Sequence, residues 1–305
     1  MDGRLSVFFL THGHGEERSL LQQPVQITAD STCDLSPELI AQYHIVTIPL
    51  YVGLGEATYR DGVDIHPQMI FDAYNQRQIL ARTSAVNEMD YLRLFTSYAE
   101  QGREVVHITL SESMSSCYQN ACLAAQKVPG VHVVDSANLS TGSGHLVLLA
   151  AQWAQQGMDG ASIAQALMQA RARVDASFVL DTLTYLYKGG RCSALAAFGS
   201  NLLHLKPCIE VRGGAMGVGK KYRGPLEKCM VQYVKDRLRH PETIDPSRLF
   251  ITYTQGTPLH IRNAVRETVD ACMHFDEILY TVAGSTISSH CGPNTLGILY
   301  LRTQA

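Results

Sequence analysis

The sequence lacks the closely spaced cysteine pairs that hold a structural metal. None of its eight cysteines forms a C-x-x-C motif, the spacing typical of zinc ligands, and only Cys117 and Cys122 lie within five residues of each other. A disulfide framework is not expected in a chain of 305 residues without a recognisable signal peptide. We therefore expect reduced, buried thiols, no bound metal and a cytoplasmic location.

An excess of positive charge is also missing. The 25 Lys and Arg residues stand against 28 Asp and Glu residues, a net charge of −3, and the pI is near 6.4. This balance speaks against binding to nucleic acid or to an anionic membrane surface. Charged residues make up 17% of the chain, below the usual ~25%, while hydrophobic residues make up an ordinary 46%. The composition excludes disorder and is consistent with additional buried apolar area.

Long apolar runs are absent as well. The apolar stretches at residues 5–10 and 146–154 are far shorter than the ~20 residues that cross a bilayer, so no membrane insertion is expected. The first stretch also lacks the cleavage site of a signal peptide. We interpret residues 1–25 as an N-terminal extension. Its His12 and His14 are more typical of a solvated loop than of a metal site.

Strand and helix patterns alternate from residue 26 onward. Strand-like segments at residues 45–52 and 104–110 alternate with helical segments at residues 88–101 and 115–127, and a further helix is predicted at residues 144–156. Such alternation predicts a mostly parallel sheet with helices on both faces. We assign residues 26–157 to an N-terminal α/β domain.

The regular alternation of predicted strands and helices ends after residue 157. A helix is predicted at residues 161–174, two short helices around residues 188–191, and a hairpin at residues 208–222. Hairpins mixed with helices predict a mixed or antiparallel sheet. We assign residues 158–305 to a C-terminal α+β domain.

One segment matches a nucleotide-binding motif except at its last position. Residues 214–220 fit the pattern G-x-x-x-x-G-K, yet Lys221 stands where a phosphate-binding loop needs Ser or Thr. The glycines are better explained as the turn of a hairpin. No G-x-G-x-x-G follows the first strand either, so no nucleotide cofactor is predicted.

Hydroxyl side chains collect behind the predicted strands. Ser115 and its neighbours follow the strand at 104–110, Thr83 and Ser84 precede a helix start, and residues 135–144 form a third polar turn. Because ligands bind beyond the carboxyl ends of parallel strands, we expect these turns to meet at one rim. Hydroxyls and free amides at helix starts suit a carboxylate or a phosphate. The alternative for Ser115 is a simple helix cap.

Seven segments in a fixed order resemble the DegV family over residues 26–303. They are TADSTCDL (28–35), RTS (82–84), SESMSSCYQNA (111–121), DSANLSTGSG (135–144), LDTLTYLYKGGRCS (180–193), LLHLKPCIEVRGGAMG (202–217) and SHCGPNTLGI (289–298). The resemblance implies a Rossmann-like N-terminal domain, a second domain containing helices and strands, and one buried fatty acid. It further implies the binding subunit of a bacterial fatty acid kinase.

The family's T-S-x-P-S turn corresponds to residues 83–87 and its S-G-T-Y helix start to residues 115–118. The resemblance implies that the fatty-acid ligands are Thr83, Ser84, Ser115 and Ser116. Its K-G-G-R and H-x-G-P motifs add Arg191 and His290 as contacts to the head group or to the partner.

The chain departs from the family in both turns. Val86 and Asn87 replace Pro and Ser, and Ser116 and Cys117 replace Gly and Thr. These changes bear on chain selectivity and on pairing with a kinase.

Two functions follow as hypotheses. In the first, the protein is a non-catalytic carrier that holds a long-chain fatty acid and presents its carboxylate to a separate ATP-dependent kinase subunit, for phospholipid synthesis. The bound acid is then the ligand and no other cofactor is expected. In the second, the protein is a serine-dependent acyl hydrolase or transferase that uses Ser115 and His290.

Overall fold

A computed structural model describes residues 24–192 and 205–304 of the chain. The strands in these residues are β1 (Val25–Asp30), β2 (Val46–Ile48), β3 (Tyr51–Leu54), β4 (Ala57–Arg60), β5 (Arg82–Ser84), β6 (Glu104–Thr109), β7 (Val131–Asp135), β8 (Val174–Val179), β9 (Leu205–Arg212), β10 (Ala215–Arg223), β11 (Ile244–Tyr253), β12 (Ile278–Val282) and β13 (Leu296–Arg302). The helices are α1 (Pro37–Gln42), α2 (Pro67–Arg77), α3 (Glu88–Ala99), α4 (Cys117–Ala125), α5 (Ser140–Gln155), α6 (Gly160–Ala170), α7 (Thr184–Gly189), α8 (Leu226–Arg237), α9 (Leu259–Cys272) and α10 (Ser285–Cys291).

The N-terminal sheet is parallel, as the alternation of strands and helices predicts. Its four strands lie in the order β2-β1-β6-β7, and every neighbouring pair is parallel. Helices α3 and α4 pack together and against β6, and α5 and α6 pack together and against the same strand. Strand β1 is buried along its whole length because helices cover it.

A small antiparallel sheet interrupts this pattern. Strands β4, β3 and β5 pair in that order, and Thr83 of β5 lies opposite Val52 of β3. The single strand predicted at residues 45–52 is wrong, since the chain leaves β2 before Pro49 and starts β3 at Tyr51. Proline has no N–H to donate to a ladder, which accounts for the break. Strands β4 and β5 were not predicted.

The C-terminal sheet is mixed, as predicted. Its six strands lie in the order β10-β9-β8-β13-β11-β12, and of these pairs β11–β12 alone is parallel. The glycines of the G-x-x-x-x-G-K pattern belong to the β9–β10 hairpin, which turns at Gly213 and Gly214 with positive φ angles of 56° and 82°. The expectation of a hairpin in place of a phosphate-binding loop is confirmed.

Helix α5 connects the two large sheets. It contacts β1 and β6 on one side and β8, β11 and β13 on the other. The helix begins at Ser140, four residues before the predicted start at residue 144. A side chain at Gly142 would place Cβ 2.1 Å from Asn138 Oδ1, and one at Gly144 would place Cβ 2.8 Å from the Cys33 carbonyl oxygen. These glycines therefore permit close packing of a buried helix, although in sequence they resemble a loop.

The helix predicted at residues 161–174 ends early. Helix α6 stops at Ala170, residues 171–173 form a 3-10 turn, and Val174 is the first residue of β8. A β-branched, buried valine suits the strand better than a helix end. Because α6 contacts β6 and β7, it packs on the N-terminal sheet. The domain boundary at residue 157 stays a prediction.

Of the two short helices expected around residues 188–191, α7 is present. The segment in which the second would fall, residues 193–204, lies outside the described residues, as do residues 1–23 of the extension predicted at 1–25. The last residue of that predicted extension, Val25, is the first residue of β1.

Helix α10 is attached to the N-terminal half of the chain by two buried aspartate side chains. Asp34 Oδ1 accepts a hydrogen bond from the Gly284 amide (2.9 Å), and Asp61 Oδ1 accepts one from the Ser285 amide (2.7 Å). Asp34 also accepts a bond from the Ser140 hydroxyl (2.5 Å). These contacts satisfy amides at the first turn of α10, which have no partner within the helix.

Replacing Asp34 with asparagine is expected to remove a loss of folding stability that the wild-type protein undergoes as the pH rises toward 8. Burial raises the pKa of Asp34 from 3.8 to about 8, the hydrogen bonds from Ser140 and Gly284 oppose this shift, and Asp61 adds to it. Between these two values the folded protein keeps a proton that the unfolded chain releases. The stabilisation is therefore complete below pH 4 and is lost as the pH rises toward 8, with a slope of at most about 1.4 kcal/mol per pH unit.

Urea midpoints measured between pH 6.5 and 8 check this prediction. The wild-type midpoint should fall over this range and the midpoint of Asp34→Asn should fall less. The exposed Asp276→Asn serves as the control and should follow the wild type. Parallel curves for wild type and Asp34→Asn would contradict the assignment.

Candidate functional site

One cavity brings together side chains from four separate parts of the fold. We call it the head cavity. Strand β5, the segment before α4, helix α10 and the turn after α7 all contribute to its wall. Its lining residues are Leu50, Thr83, Ser84, Ala85, Leu110, Met114, Ser115, Leu139, Leu186, Arg191, Met216, Thr286, Ile287, His290 and Cys291. Five of the six residues predicted as ligands are among them.

Thr83 and His290 form the central polar contact of the head cavity. Thr83 Oγ1 lies 2.7 Å from His290 Nε2. Burial lowers the pKa of His290 to about 4, and the charge of Arg191 acts in the same direction, so the imidazole is neutral at pH 7. Nδ1 has no hydrogen-bond partner in the described part of the chain, and a Cβ built on Gly189 would lie 2.3 Å from it.

This environment favours one tautomer of His290. A proton on Nδ1 would point at Gly189 without an acceptor, whereas a proton on Nε2 is donated to Thr83 Oγ1. With Nε2–H as the donor, the hydroxyl hydrogen of Thr83 is free to turn toward the cavity. The pair then offers a neutral donor to a carboxylate oxygen.

Ser115 supplies a second hydroxyl at the start of α4. Its Oγ accepts a hydrogen bond from the Cys117 amide (3.3 Å) and lies 3.2 Å from Cys117 Sγ. Ser115 therefore lines the cavity and accepts a hydrogen bond from the first amide of α4, but it is not the N-cap residue that the alternative proposed. Ser116 is exposed, is the N-cap residue of α4 and does not line the cavity.

The head cavity reaches the protein surface beside Ser84 and Arg191, which are both exposed. Gly190 ends α7 in a left-handed conformation with φ of 68°, and the chain then places Arg191 against the cavity. Arg191 Nη1 donates to the Gly189 carbonyl (2.9 Å). The cavity therefore has polar and charged groups at the end that meets solvent.

A second cavity adjoins the first and is almost entirely apolar. We call it the tail cavity. It lies between α5, α10 and the C-terminal sheet, and it shares Leu139, Ile287 and Cys291 with the head cavity. Its remaining lining residues are Ser140, Phe178, Thr252, Tyr253, Thr254, Ala283, Thr295, Gly297 and Leu299. Nothing in the sequence patterns pointed to this cavity.

The hydroxyl-bearing residues of the tail cavity do not make it polar, because their hydroxyls bond elsewhere. Thr252 Oγ1 lies 2.6 Å from Thr141 Oγ1 and 2.9 Å from Thr281 Oγ1. Thr295 Oγ1 donates to the Cys291 carbonyl (2.9 Å), and Ser140 donates to Asp34. The hydrogen-bonding capacity of these residues is directed into the protein.

The expectation that three polar turns meet at one rim of the parallel sheet is wrong in its geometry. Thr83 and Ser84 lie in strand β5 of the small antiparallel sheet. In the third turn, Ser136 Oγ lies 2.9 Å from Ser143 Oγ and Thr141 bonds Thr252, so these hydroxyls serve packing. The segment at Ser115 does follow β6, as predicted.

Two buried carboxylates near the strand ends hold loops in place. Asp30 accepts hydrogen bonds from the Tyr91 hydroxyl (2.6 Å) and the Leu110 amide (2.8 Å). Asp135 accepts from the Glu112 amide (3.1 Å) and is paired with Arg171. Neither lines the head cavity or the tail cavity.

The described residues contain no cluster of three or more His, Cys, Asp or Glu side chains arranged to hold a metal. Within the same residues, no helix has both the length and the apolar character needed to cross a membrane. His12 and His14 lie outside the described residues. All eight cysteines are free, and six of them are buried.

A serine hydrolase relay is not assembled around His290. Its Nε2 contacts Thr83 and not Ser115. Among the residues that the structure describes, no carboxylate bonds its Nδ1. A hydrolase of this type needs the base to contact the nucleophile and a third group to orient the base.

Comparison with known proteins decides the family. Residues 24–303 match the family model described as "Uncharacterised protein, DegV family". The chain belongs to the DegV family. A DegV domain-containing protein of Clostridium acetobutylicum is 31% identical over 224 residues, which cover 72% of this chain and 80% of that protein.

Solved structures of DegV proteins share the fold. The structure described as fatty acid binding of a DegV family protein from Thermus thermophilus is 30% identical, covers 92% of this chain and 99% of its own, and has a TM-score of 0.84. A stearic acid-binding protein from Eubacterium ventriosum is 25% identical, covers 91% and 98% of the two chains, and has a TM-score of 0.80. The DegV assignment and the two-sheet α/β architecture expected from the sequence are confirmed.

Proposed function

We propose that this DegV protein binds one long-chain fatty acid, with the carboxylate in the head cavity and the hydrocarbon chain in the tail cavity. The observation that carries the proposal is that Leu139, Ile287 and Cys291 line both cavities. The head cavity carries polar side chains among apolar ones, whereas the lining of the tail cavity is almost entirely apolar. This distribution matches an amphipathic acid. The fatty acid-binding relative from Thermus thermophilus supports the proposal.

The energetics favour a long chain. Each methylene group that leaves water contributes about 0.8 kcal/mol, so a chain of sixteen carbons gains on the order of 10 kcal/mol before the entropy cost of binding. The carboxylate must keep its hydrogen bonds, or part of that gain is lost. The hydroxyls of Thr83 and Ser115 replace water around the head group.

We further propose that the bound carboxylate is presented to a separate ATP-dependent kinase subunit in the cytoplasm. The exposed Ser84 and Arg191 at the mouth of the head cavity support this proposal. A carboxylate held near them lies within reach of another protein's active site, while the chain stays buried. The protein itself would then act as a carrier and not as the catalyst.

Mass spectrometry under native conditions tests the binding. We expect purified protein to carry one fatty acid per chain, or to take up one equivalent of labelled hexadecanoate. Protein that carries no lipid and takes up none would contradict the proposal.

The hydrolase hypothesis is tested on the same preparation. We expect no turnover of p-nitrophenyl esters by the protein alone. Turnover that disappears in Ser115→Ala would favour the hydrolase. Addition of ATP and the catalytic subunit of a fatty acid kinase should yield acyl phosphate only when the loaded protein is present.

A further inference from the structure

One buried hydroxyl in the head cavity has no partner. Thr286, in the first turn of α10, is 3% exposed and lines this cavity. Its Oγ1 is inaccessible to solvent and has no hydrogen-bond partner among residues 24–192 and 205–304. Buried polar groups are satisfied in most proteins, so an unsatisfied one on a residue that lines a binding cavity points to a ligand.

The neighbouring hydroxyls on α10 are all satisfied within the protein. Ser285 Oγ donates to the Ile65 carbonyl (3.1 Å), Ser288 Oγ to the Ala283 carbonyl (3.1 Å) and Ser289 Oγ to the Ser285 carbonyl (2.7 Å). Thr286 therefore differs from the other hydroxyl residues of its own helix. A valine would fill the same volume without burying an unpaired hydroxyl, so packing does not explain the threonine.

The helix places Thr286 beside the central polar contact of the cavity. Residues four apart lie on the same face of a helix, with Cβ atoms about 5–6 Å apart, so Thr286 lies next to His290. His290 in turn bonds Thr83 (2.7 Å). Thr286 thus lies one helical turn before the residue that contacts Thr83, and all three residues line the head cavity.

We propose that Thr286 Oγ1 hydrogen-bonds an oxygen atom of the bound acid, which makes Thr286 a determinant of ligand selection. This inference rests on the proposed function. The oxygen has two sources, the carboxylate itself or a hydroxyl substituent on the first carbons of the chain. The second source would make hydroxylated fatty acids a preferred class of ligand.

The test compares Thr286→Val with wild type for two probes, hexadecanoate and 3-hydroxyhexadecanoate, by titration calorimetry. We expect Thr286→Val to weaken binding roughly tenfold or more, as expected for a lost hydrogen bond to an oxygen of the acid. If Thr286→Val binds both acids more weakly than the wild type does, the contact is to the carboxylate. If it binds only the hydroxy acid more weakly, the contact is to the hydroxyl on the chain. Thr286→Ser, which keeps the hydroxyl, should bind as the wild type does.

Thr32→Val is the matched control. Thr32 Oγ1 is also buried and unpartnered among the described residues, but Thr32 lines neither cavity. Both valine variants should melt at or above the wild-type temperature, and Thr32→Val should bind both acids as the wild type does. Unchanged binding of both acids by folded Thr286→Val would overturn the inference. A wild-type protein that binds neither acid would overturn the proposed function instead.

Discussion

Replacing Cys291 with phenylalanine is expected to abolish the binding of hexadecanoate and to leave octanoate bound. Cys291 is 5% exposed and lines both cavities, so in the proposed binding mode the hydrocarbon chain passes it, and a larger side chain at this position would block that passage. Octanoate places few carbons beyond the passage. Hexadecanoate has eight more methylene groups, each worth about 0.8 kcal/mol when buried. We expect its affinity to fall on the order of 1,000-fold or more.

The matched control for this prediction is Cys291→Ala. It leaves the passage open and should bind both acids. Burial raises the pKa of the Cys291 thiol to about 12, so the thiol stays protonated and its role in the passage is steric. Displacement of a fluorescent fatty acid measures both affinities, and octanoate binding reports that the variant is folded. Hexadecanoate binding at the wild-type level in folded Cys291→Phe would mean that the chain takes another route.

Loss of the Thr83–His290 contact is expected to weaken fatty acid binding by roughly 10- to 100-fold, the range for a hydrogen bond to a charged group. In Thr83→Val the carboxylate loses a donor, and in His290→Phe the Thr83 hydroxyl loses the partner that orients it. Because the two side chains lie 2.7 Å apart, they act as one unit. The double variant should therefore bind only slightly more weakly than either single variant, with a coupling energy of about 0.5–3 kcal/mol.

Titration calorimetry of the wild type, the two single variants and the double variant gives the coupling energy directly. Ser116→Ala is the control, since Ser116 is exposed and lies outside the cavity. Effects of the two single variants that simply add would show that Thr83 and His290 contact the ligand independently. The low pKa of His290, about 4, also means that its contribution should not change between pH 6 and 8.

The regular elements of the fold were predictable because their patterns are local. The parallel strands and their helices show periodic apolar residues, and Ser36 with Pro37 marks the start of α1, where Ser36 Oγ accepts from the Leu39 amide (3.4 Å). The small sheet was missed because strands of three or four residues are too short to show alternation.

Helix α10 was missed for a different reason. It has seven residues, four of them Ser or Thr, and its sequence contains little that favours a helix. Its first turn is held by Asp34 and Asp61, which lie more than 200 residues away in the chain. Tertiary contacts stabilise short helices that propensity alone does not.

The sequence by itself determined the family, the parallel character of the N-terminal sheet, the mixed character of the C-terminal sheet and the candidate ligands Thr83, Ser84, Ser115, Arg191 and His290, because ordered motifs and local patterns carry that information. Only the tertiary structure decided that Ser116 lies outside the cavity, that Thr286 lies inside it and that a tail cavity exists. Those facts depend on which atoms from distant segments meet, and on which hydroxyls are already satisfied. Neither is encoded in local spacing, because burial and hydrogen bonding are properties of the packed chain.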